Sequence, residues 1–360
     1  MFFFYEKKKV YISLQFIKKV MEKIFVSIAS YRDKQCHTTV QSIYKNAKYP
    51  ERIFCGICEQ NKEETESCIP KNFKYQANIR MIEKKYNEAK GPTYARYLCA
   101  TLYENEDFFL QIDSHCLFVD EWDVKCINMI YLLENEMENK NVILSHYPPA
   151  VESYREKSPN KFVTHMVDCF FNGDGILTFH GAKWKMAERL PRRNAFLAGG
   201  FIFCRGQWVK DVPFDPHLDY LFTGEEILHS IRTYTSGWDV YTPNENIVFH
   251  VYTRKDHPKF WTDNVYNNSE VKEKVKIITG LDGDLKKMTT KRIIDSIKQY
   301  NLGKVRSMDD FYDFIGVDRK TKTIGKPKVE FFELHPVFND HGYVIILVLT
   351  SILLFLFLIK

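Results

Sequence analysis

The chain has 360 residues, 45% hydrophobic and 27% charged, the composition of a globular protein long enough for one large or two moderate domains. Its 51 basic and 46 acidic residues are interspersed and leave a formal net charge of +5, which excludes a basic block of the kind that binds nucleic acid. Nine scattered cysteines form no second CxxC for a zinc ribbon and read as reduced, mostly buried thiols in a cytosolic setting.

Residues 1–22 form an N-terminal segment. Its apolar start, Met1 to Tyr5, is cut short by Glu6 and Lys7 to Lys9, too early for a signal-peptide core. Tyr11 to Val20 is weakly amphipathic and reads as a surface helix. From Lys23 strand and helix alternate: Ile24 to Ile28 as a buried strand, Asp33 to Asn46 as a helix capped by Asp33, Ile53 to Cys58 as a second strand. Cys55 and Cys58 face opposite sides of that strand roughly 10 Å apart, so they share neither disulfide nor metal. Ile79 to Ile82 is a third strand, Thr93 to Leu102 a helix opened by Gly91-Pro92, and Phe108 to Asp113 a fourth strand.

Four parallel strands with crossovers make the Rossmann-like half of an α/β protein, whose ligands sit at the carboxyl ends of the strands. The Ser27 to Arg32 turn and Asp113 share that rim. No Gly-x-Gly-x-x-Gly or P-loop is present, which disfavours a dinucleotide enzyme or a phosphate-loop NTPase. In EDFFLQIDSH at 106–115 the apolar run ends in Asp113, Ser114 and His115. Side chains two apart on a strand share a face, so Asp113 and His115 converge on one cation. A carboxylate oxygen with an imidazole nitrogen suits Mn²⁺, with Mg²⁺, Fe²⁺ and Zn²⁺ less favoured.

Val142 to Ser145 and Ala198 to Cys204 read as strands, and Gly224 to Tyr234 as a helix opening on Glu225 and Glu226. Ile247 to Tyr252 is the last core strand, and 270–330 a small helical tail with a helix over Asp309 to Phe314. Tyr343 to Ile359 holds 17 residues without a charge, spanning ~25 Å as a helix with Lys360 snorkelling. It predicts a single-pass tail anchor, with the preceding residues on the cytosolic side and the Asn267-Asn268-Ser269 sequon idle.

Taken in order, SIASYRD at 27–33, GPTYARYL at 91–98, QIDSH at 111–115, Trp122-Asp123, GGFIF at 199–203, FTGEE at 222–226 with Arg232, and FHVYTR at 249–254 resemble the hydroxyproline N-acetylglucosaminyltransferases. The resemblance covers residues 24–255, with an echo at 302–311, and the layout is more distantly similar to the polypeptide N-acetylgalactosaminyltransferases. It implies a GT-A fold over 23–269, followed by a helical tail and linker over 270–337 and the anchor at 343–359. It also implies a UDP-sugar donor and Mn²⁺ or Mg²⁺. Asp113 and His115 become metal ligands with His250 as the third, Arg96 a nucleotide contact, and Ser30, Tyr31 and Arg32 the turn around uracil and ribose. Gly199 and Gly200 let backbone approach the sugar, Glu225 or Glu226 lies near the acceptor hydroxyl, and Trp122 and Asp123 brace the metal strand.

The implied reaction is retaining transfer of N-acetylglucosamine from UDP-GlcNAc to a protein acceptor, at hydroxyproline, serine or threonine, with the departing phosphate oxygen helping to take the acceptor proton. The alternatives are UDP-galactose, UDP-glucose or UDP-N-acetylgalactosamine as donor, or a non-catalytic tail-anchored protein that binds nucleotide sugar.

Overall fold

Strands covered on both faces need side chains that are apolar in both directions, and the first strands here have them. In the computed structural model, which describes residues 22–154, 162–254 and 257–328, β1 (Ile24–Tyr31), α1 (Cys36–Lys45), β2 (Ile53–Asn61), β3 (Ile79–Lys85), α2 (Pro92–Ala100) and β4 (Phe108–Asp113) follow in the expected alternation. The four strands run parallel in the order β3-β2-β1-β4. Ile24, Val26 and Ile28 join Val40 and Ile43 of α1 in one buried cluster, whereas Phe25 joins Phe109 in another. Cys55 and Cys58 divide between clusters in the same way, and both are free thiols. Gly91, at φ +89°, makes the turn that Pro92 then sets into helix.

Beyond β4 the sheet becomes mixed. β5 (Cys116–Phe118) leaves it, α3 (Trp122–Glu136) follows, and β6 (Val142–Ser145), β7 (Arg192–Asn194), β8 (Phe201–Arg205) and, after α4 (Glu225–Thr235), β9 (Asp239–Thr242) complete it. The full order is β7-β9-β6-β8-β4-β1-β2-β3, with β8 antiparallel to both neighbours. β10 (Val248–His250) is as buried as expected of a core strand, but it pairs with β5 in a separate two-stranded sheet that sets His250 opposite Cys116. α5 (Ser269–Ile278), α6 (Lys291–Gln299) and α7 (Met308–Ile315) share one apolar cluster with α4, through Val271, Val275, Ile293 and Phe311 against Ile227 and Ile231. A capping box starts α7: Ser307 Oγ accepts from the Asp310 amide and Asp310 accepts from the Ser307 amide.

Three expectations are corrected. Asp33 is not the residue that opens α1, which starts after Gln35; its Oδ1 still accepts from the Gln35 amide at 3.0 Å, while its Oδ2 turns inward to Ser114 and His115. Trp122 shares a buried cluster with Phe108, Leu110 and Ile112 of β4, but the polar bonds of Trp122 and Asp123 secure α1 and the turn before β2 instead. The Trp122 indole donates to the Ile43 carbonyl of α1, and buried Asp123 accepts from the Lys48 and Tyr49 amides and pairs with Arg52.

The third correction concerns redox state. Cys36 of α1 and Cys68, beyond β2, form a disulfide with Cα atoms 4.6 Å apart, while the other seven cysteines are free and buried. Closing a loop 32 residues apart stabilises by about 4 kcal/mol. We expect Cys36→Ser, or reductant, to lower the thermal midpoint by roughly 5–10 °C in a calorimetric scan. An unchanged midpoint would show the bond to be absent in solution. The expected helix over 11–20 and the apolar segment 343–359 lie outside the described residues, among which no helix is long and apolar enough to cross a membrane.

Candidate active site

Parallel strands end on one edge, and β8, running the other way, begins there, with Phe201 in register with Ile112. Residues from far apart in the chain therefore line one cavity of about 610 Å³, among them Asp113, His115, His250, Arg96, Glu225 and Glu226.

One ligand atom from each of Asp113, His115 and His250 lies within 4.8 Å of the others. The His250 Nε2 is 3.2 Å from Asp113 Oδ2, and the two imidazole rings stand 4.5 Å apart. Behind His115, its Nδ1 lies 2.7 Å from Oδ2 of Asp33, a carboxylate with no exposure that also accepts from Ser114 Oγ at 2.6 Å and faces Arg254 at 3.2 Å. With Nδ1–H given to Asp33, His115 keeps its Nε2 lone pair for a cation, the usual support of a metal-ligating histidine. Burial lowers the His115 pKa against the pull of Asp33 and favours the neutral imidazole a metal needs. Burial alone would raise Asp113, but the His250 hydrogen bond and the Arg96 charge outweigh it and hold the carboxyl well below its ordinary value. This donor set fits a divalent cation such as Mn²⁺. Replacing Asp33 by Asn removes the support and should weaken Mn²⁺ binding by roughly 10- to 100-fold. Titration calorimetry with Mn²⁺ alone measures it, and unchanged affinity would remove Asp33 from this role.

Arg96 ties the cluster to the paired glutamates. Its Nη2 donates to Asp113 Oδ1 at 2.8 Å and its Nη1 to Glu225 Oε2 at 2.5 Å. A Cβ on Gly199 would stand 2.7 Å from Arg96 Nη1, and one on Gly200 2.8 Å from Asp113 Oδ2. The glycines thus make room first for Arg96 and Asp113. The two glutamates have different surroundings: Glu225 is locked to Arg96, while Glu226 accepts from the Gly199 amide at 2.9 Å and from the Tyr147 hydroxyl at 2.5 Å. Burial pushes the Glu226 carboxyl up to about 7, against those two hydrogen bonds.

Of the expected turn, Tyr31 lines the cavity, whereas Ser30 is fully buried and Arg32 is held by Glu66 at 3.2 Å and Asp263 at 2.7 Å. Asp33, Tyr147 and Arg254 went unnoticed as site residues. Asp33 lies two residues beyond the carboxyl end of β1, a position that signalled it; Tyr147 carries no signal in its own segment.

Carboxylate and imidazole ligands beside an arginine, at the carboxyl edge of a parallel sheet, suit the transfer of a group from a phosphate leaving group. The chain belongs to the glycosyltransferase (GlcNAc) family, which it matches over residues 23–76 and 70–321. The crystal structure of GalNAc-T7 with UDP, GalNAc and Mn²⁺ is similar at a TM-score of 0.54 and 12% identity, over 81% of this chain and 56% of that one. This likeness is one of fold, and this chain spans little more than half of that protein. S. aureus TarS 1–349 in complex with UDP-GlcNAc is similar at a TM-score of 0.45 and 13% identity, over 77% of this chain and 71% of that one. No curated protein matches the sequence.

Proposed function

We propose that this chain is a divalent-metal-dependent GT-A glycosyltransferase that moves N-acetylglucosamine from UDP-GlcNAc to a hydroxyl of a polypeptide with retention of configuration. The carrying observation is the Asp113, His115 and His250 cluster, joined through Arg96 to the glutamates in one cavity. Family membership supports it, as does the solved relative bound to UDP, GalNAc and Mn²⁺. Those three residues would hold Mn²⁺ or Mg²⁺, which when bound supplies Lewis-acid relief of the charge building on the departing diphosphate.

Arg96 fixes both Asp113 and Glu225 by ion pairs and helps hold Asp113 ionised, and Tyr31 lines the nucleotide side. Glu226 accepts a hydrogen bond from the acceptor hydroxyl. As the bond from the anomeric carbon to the diphosphate oxygen breaks, its electron pair leaves with UDP. The acceptor oxygen bonds to that carbon, and the acceptor proton passes to Glu226 with help from the departing phosphate oxygen. The test is UDP release by the full chain across a panel of UDP-sugars, with Mn²⁺, Mg²⁺ or chelator. Chelator-sensitive release from UDP-GlcNAc supports the reading, release from another donor changes the sugar, and binding with no release from any donor returns the chain to a nucleotide-sugar-binding role.

Residues 343–359 we take as a membrane anchor. For the compartment, the Cys36–Cys68 bond favours an oxidising lumen over the cytosolic side expected of a tail anchor, a topology that requires the residues before 343 to be translocated across the membrane. Exposed Asn267, whose Oδ1 accepts from the Ser269 amide at 2.9 Å, then becomes a glycan acceptor. A glycosidase-sensitive mass shift lost in Asn267→Gln is expected from expression in eukaryotic cells; no shift, with Cys36 open to alkylation, would place the domain in the cytosol.

A further inference from the structure

Arg232 follows the paired glutamates on α4, but it does not line the reaction cavity. Only 3% exposed, it carries its charge into the seam between α4 and the helices of the tail. Its Nη2 donates to the Pro213 carbonyl at 2.9 Å and its Nε to the Asn301 carbonyl at 3.3 Å. Nη1 is buried without a hydrogen-bond partner, and among the described residues no carboxylate pairs with this guanidinium.

The carboxylate nearest in charge is already committed. Buried Asp215 pairs through Oδ2 with Lys274 and accepts through Oδ1 from the His217 amide at 2.8 Å. Lys274 has no exposure, and Ser296 Oγ engages a second of its three N–H bonds at 2.6 Å. The seam therefore buries two cations, Arg232 and Lys274, against one carboxylate. Asp219 answers Arg292 at 2.7 Å and Lys90 at 3.3 Å through Oδ2, while its Oδ1 has no partner. His217 adds a buried, unpartnered Nδ1, which donates in one neutral tautomer; its ring lies 6.2 Å from that of Tyr300, which Lys274 Nζ approaches to 5.8 Å. Burial pushes Arg232 down to about 10, and it lowers Lys274 against the pull of Asp215, with Arg232 and Arg292 adding to the fall.

Buried charges in folded proteins are paired, because an unpaired one loses its hydration for nothing of equal strength. The surplus here is one positive charge, and the unengaged groups around it are chiefly N–H donors. We propose that the seam between α4, α5 and residues 213–217 binds one small monovalent anion such as chloride, held by Arg232 Nη1 with Lys274 and His217 beside it. The site does not rest on the transferase reading. A bound anion completes the joint between α4, which carries Glu225 and Glu226, and the helical tail. Water is the competing occupant, since the unpartnered Asp219 Oδ1 suits a water and opposes an anion.

The test melts the full chain, in detergent, in sodium chloride and in sodium gluconate at equal ionic strength. Chloride should raise the thermal midpoint by roughly 3–6 °C over gluconate, with bromide acting as chloride does. In Arg232→Met that difference should vanish. Crystals of the wild-type chain grown in bromide should show an anomalous peak against Arg232 Nη1, an observation that needs no variant. If Arg232→Met does not fold, the wild-type midpoints and the bromide peak decide together. A midpoint difference that persists in a folded Arg232→Met protein is a general salt effect and overturns the site, as does a water without anomalous signal at Nη1. A bromide peak with equal midpoints in the two salts is binding at crystal concentration only and overturns it too.

Discussion

Asp113→Asn should lose metal-stimulated UDP release by on the order of 10³-fold, about 4 kcal/mol of barrier. The size follows from how many roles this one carboxylate fills. Asp113 contributes the hard oxygen of the cluster, lies 3.2 Å from His250 and holds one arm of Arg96 at 2.8 Å. Losing its charge weakens the cation site and leaves a buried guanidinium with Glu225 alone, the kind of imbalance that costs several kcal/mol when a partner is removed outright. Asparagine is the informative replacement because it keeps the volume that Gly200 leaves open, so the fold survives while the charge is lost. Release at varied Mn²⁺ and a parallel thermal melt separate the two effects. Metal-stimulated turnover at the wild-type level in a folded Asp113→Asn protein would remove Asp113 from the reaction.

Glu226→Gln is expected to lower kcat by about 10²- to 10³-fold and to change the pH profile. Burial raises this carboxyl to about 7, so the ionised form that can accept a proton fills as the pH rises. The wild-type rate should therefore climb through about pH 7, and that limb should be missing from the residual activity of the glutamine variant. Glu225→Gln is the contrasting case. Its partner is Arg96, so its loss should act through donor and metal binding, without removing the limb. A rate that falls through pH 7 would assign Glu226 the role of an acid, and an unchanged limb in Glu226→Gln would assign the titration elsewhere.

Several of these features were legible in the residues alone. The parallel half follows from apolar runs bounded by turn residues, and β1, β2 and β4 each stand where the runs lie. Asp113 and His115 could be paired because the strand period of two acts over three residues. His250 was reached only through the resemblance. Inside VFH nothing distinguishes a ligand from an ordinary buried histidine, and its position depends on pairing with Cys116, more than a hundred residues earlier. Cys36 and Cys68 gave no sign of each other because their spacing matches no motif and the contact requires the turn beyond β2.

By itself the sequence determined the local matters: which segments are strands, the Asp-x-His pair, the helix opening on two glutamates and the family to which the motifs point. Each of these depends on neighbours a few residues apart, where backbone geometry alone decides which side chains share a face. Only the tertiary structure decided that Asp33 stands behind His115, 82 residues away, and that Tyr147 reaches Glu226, 79 residues away. It also gave two adjacent glutamates opposite surroundings, one ion-paired and one raised toward neutral pH. Such properties come from burial and from contacts between distant segments, and a buried carboxylate takes its pKa from whatever the fold brings within a few ångströms of it.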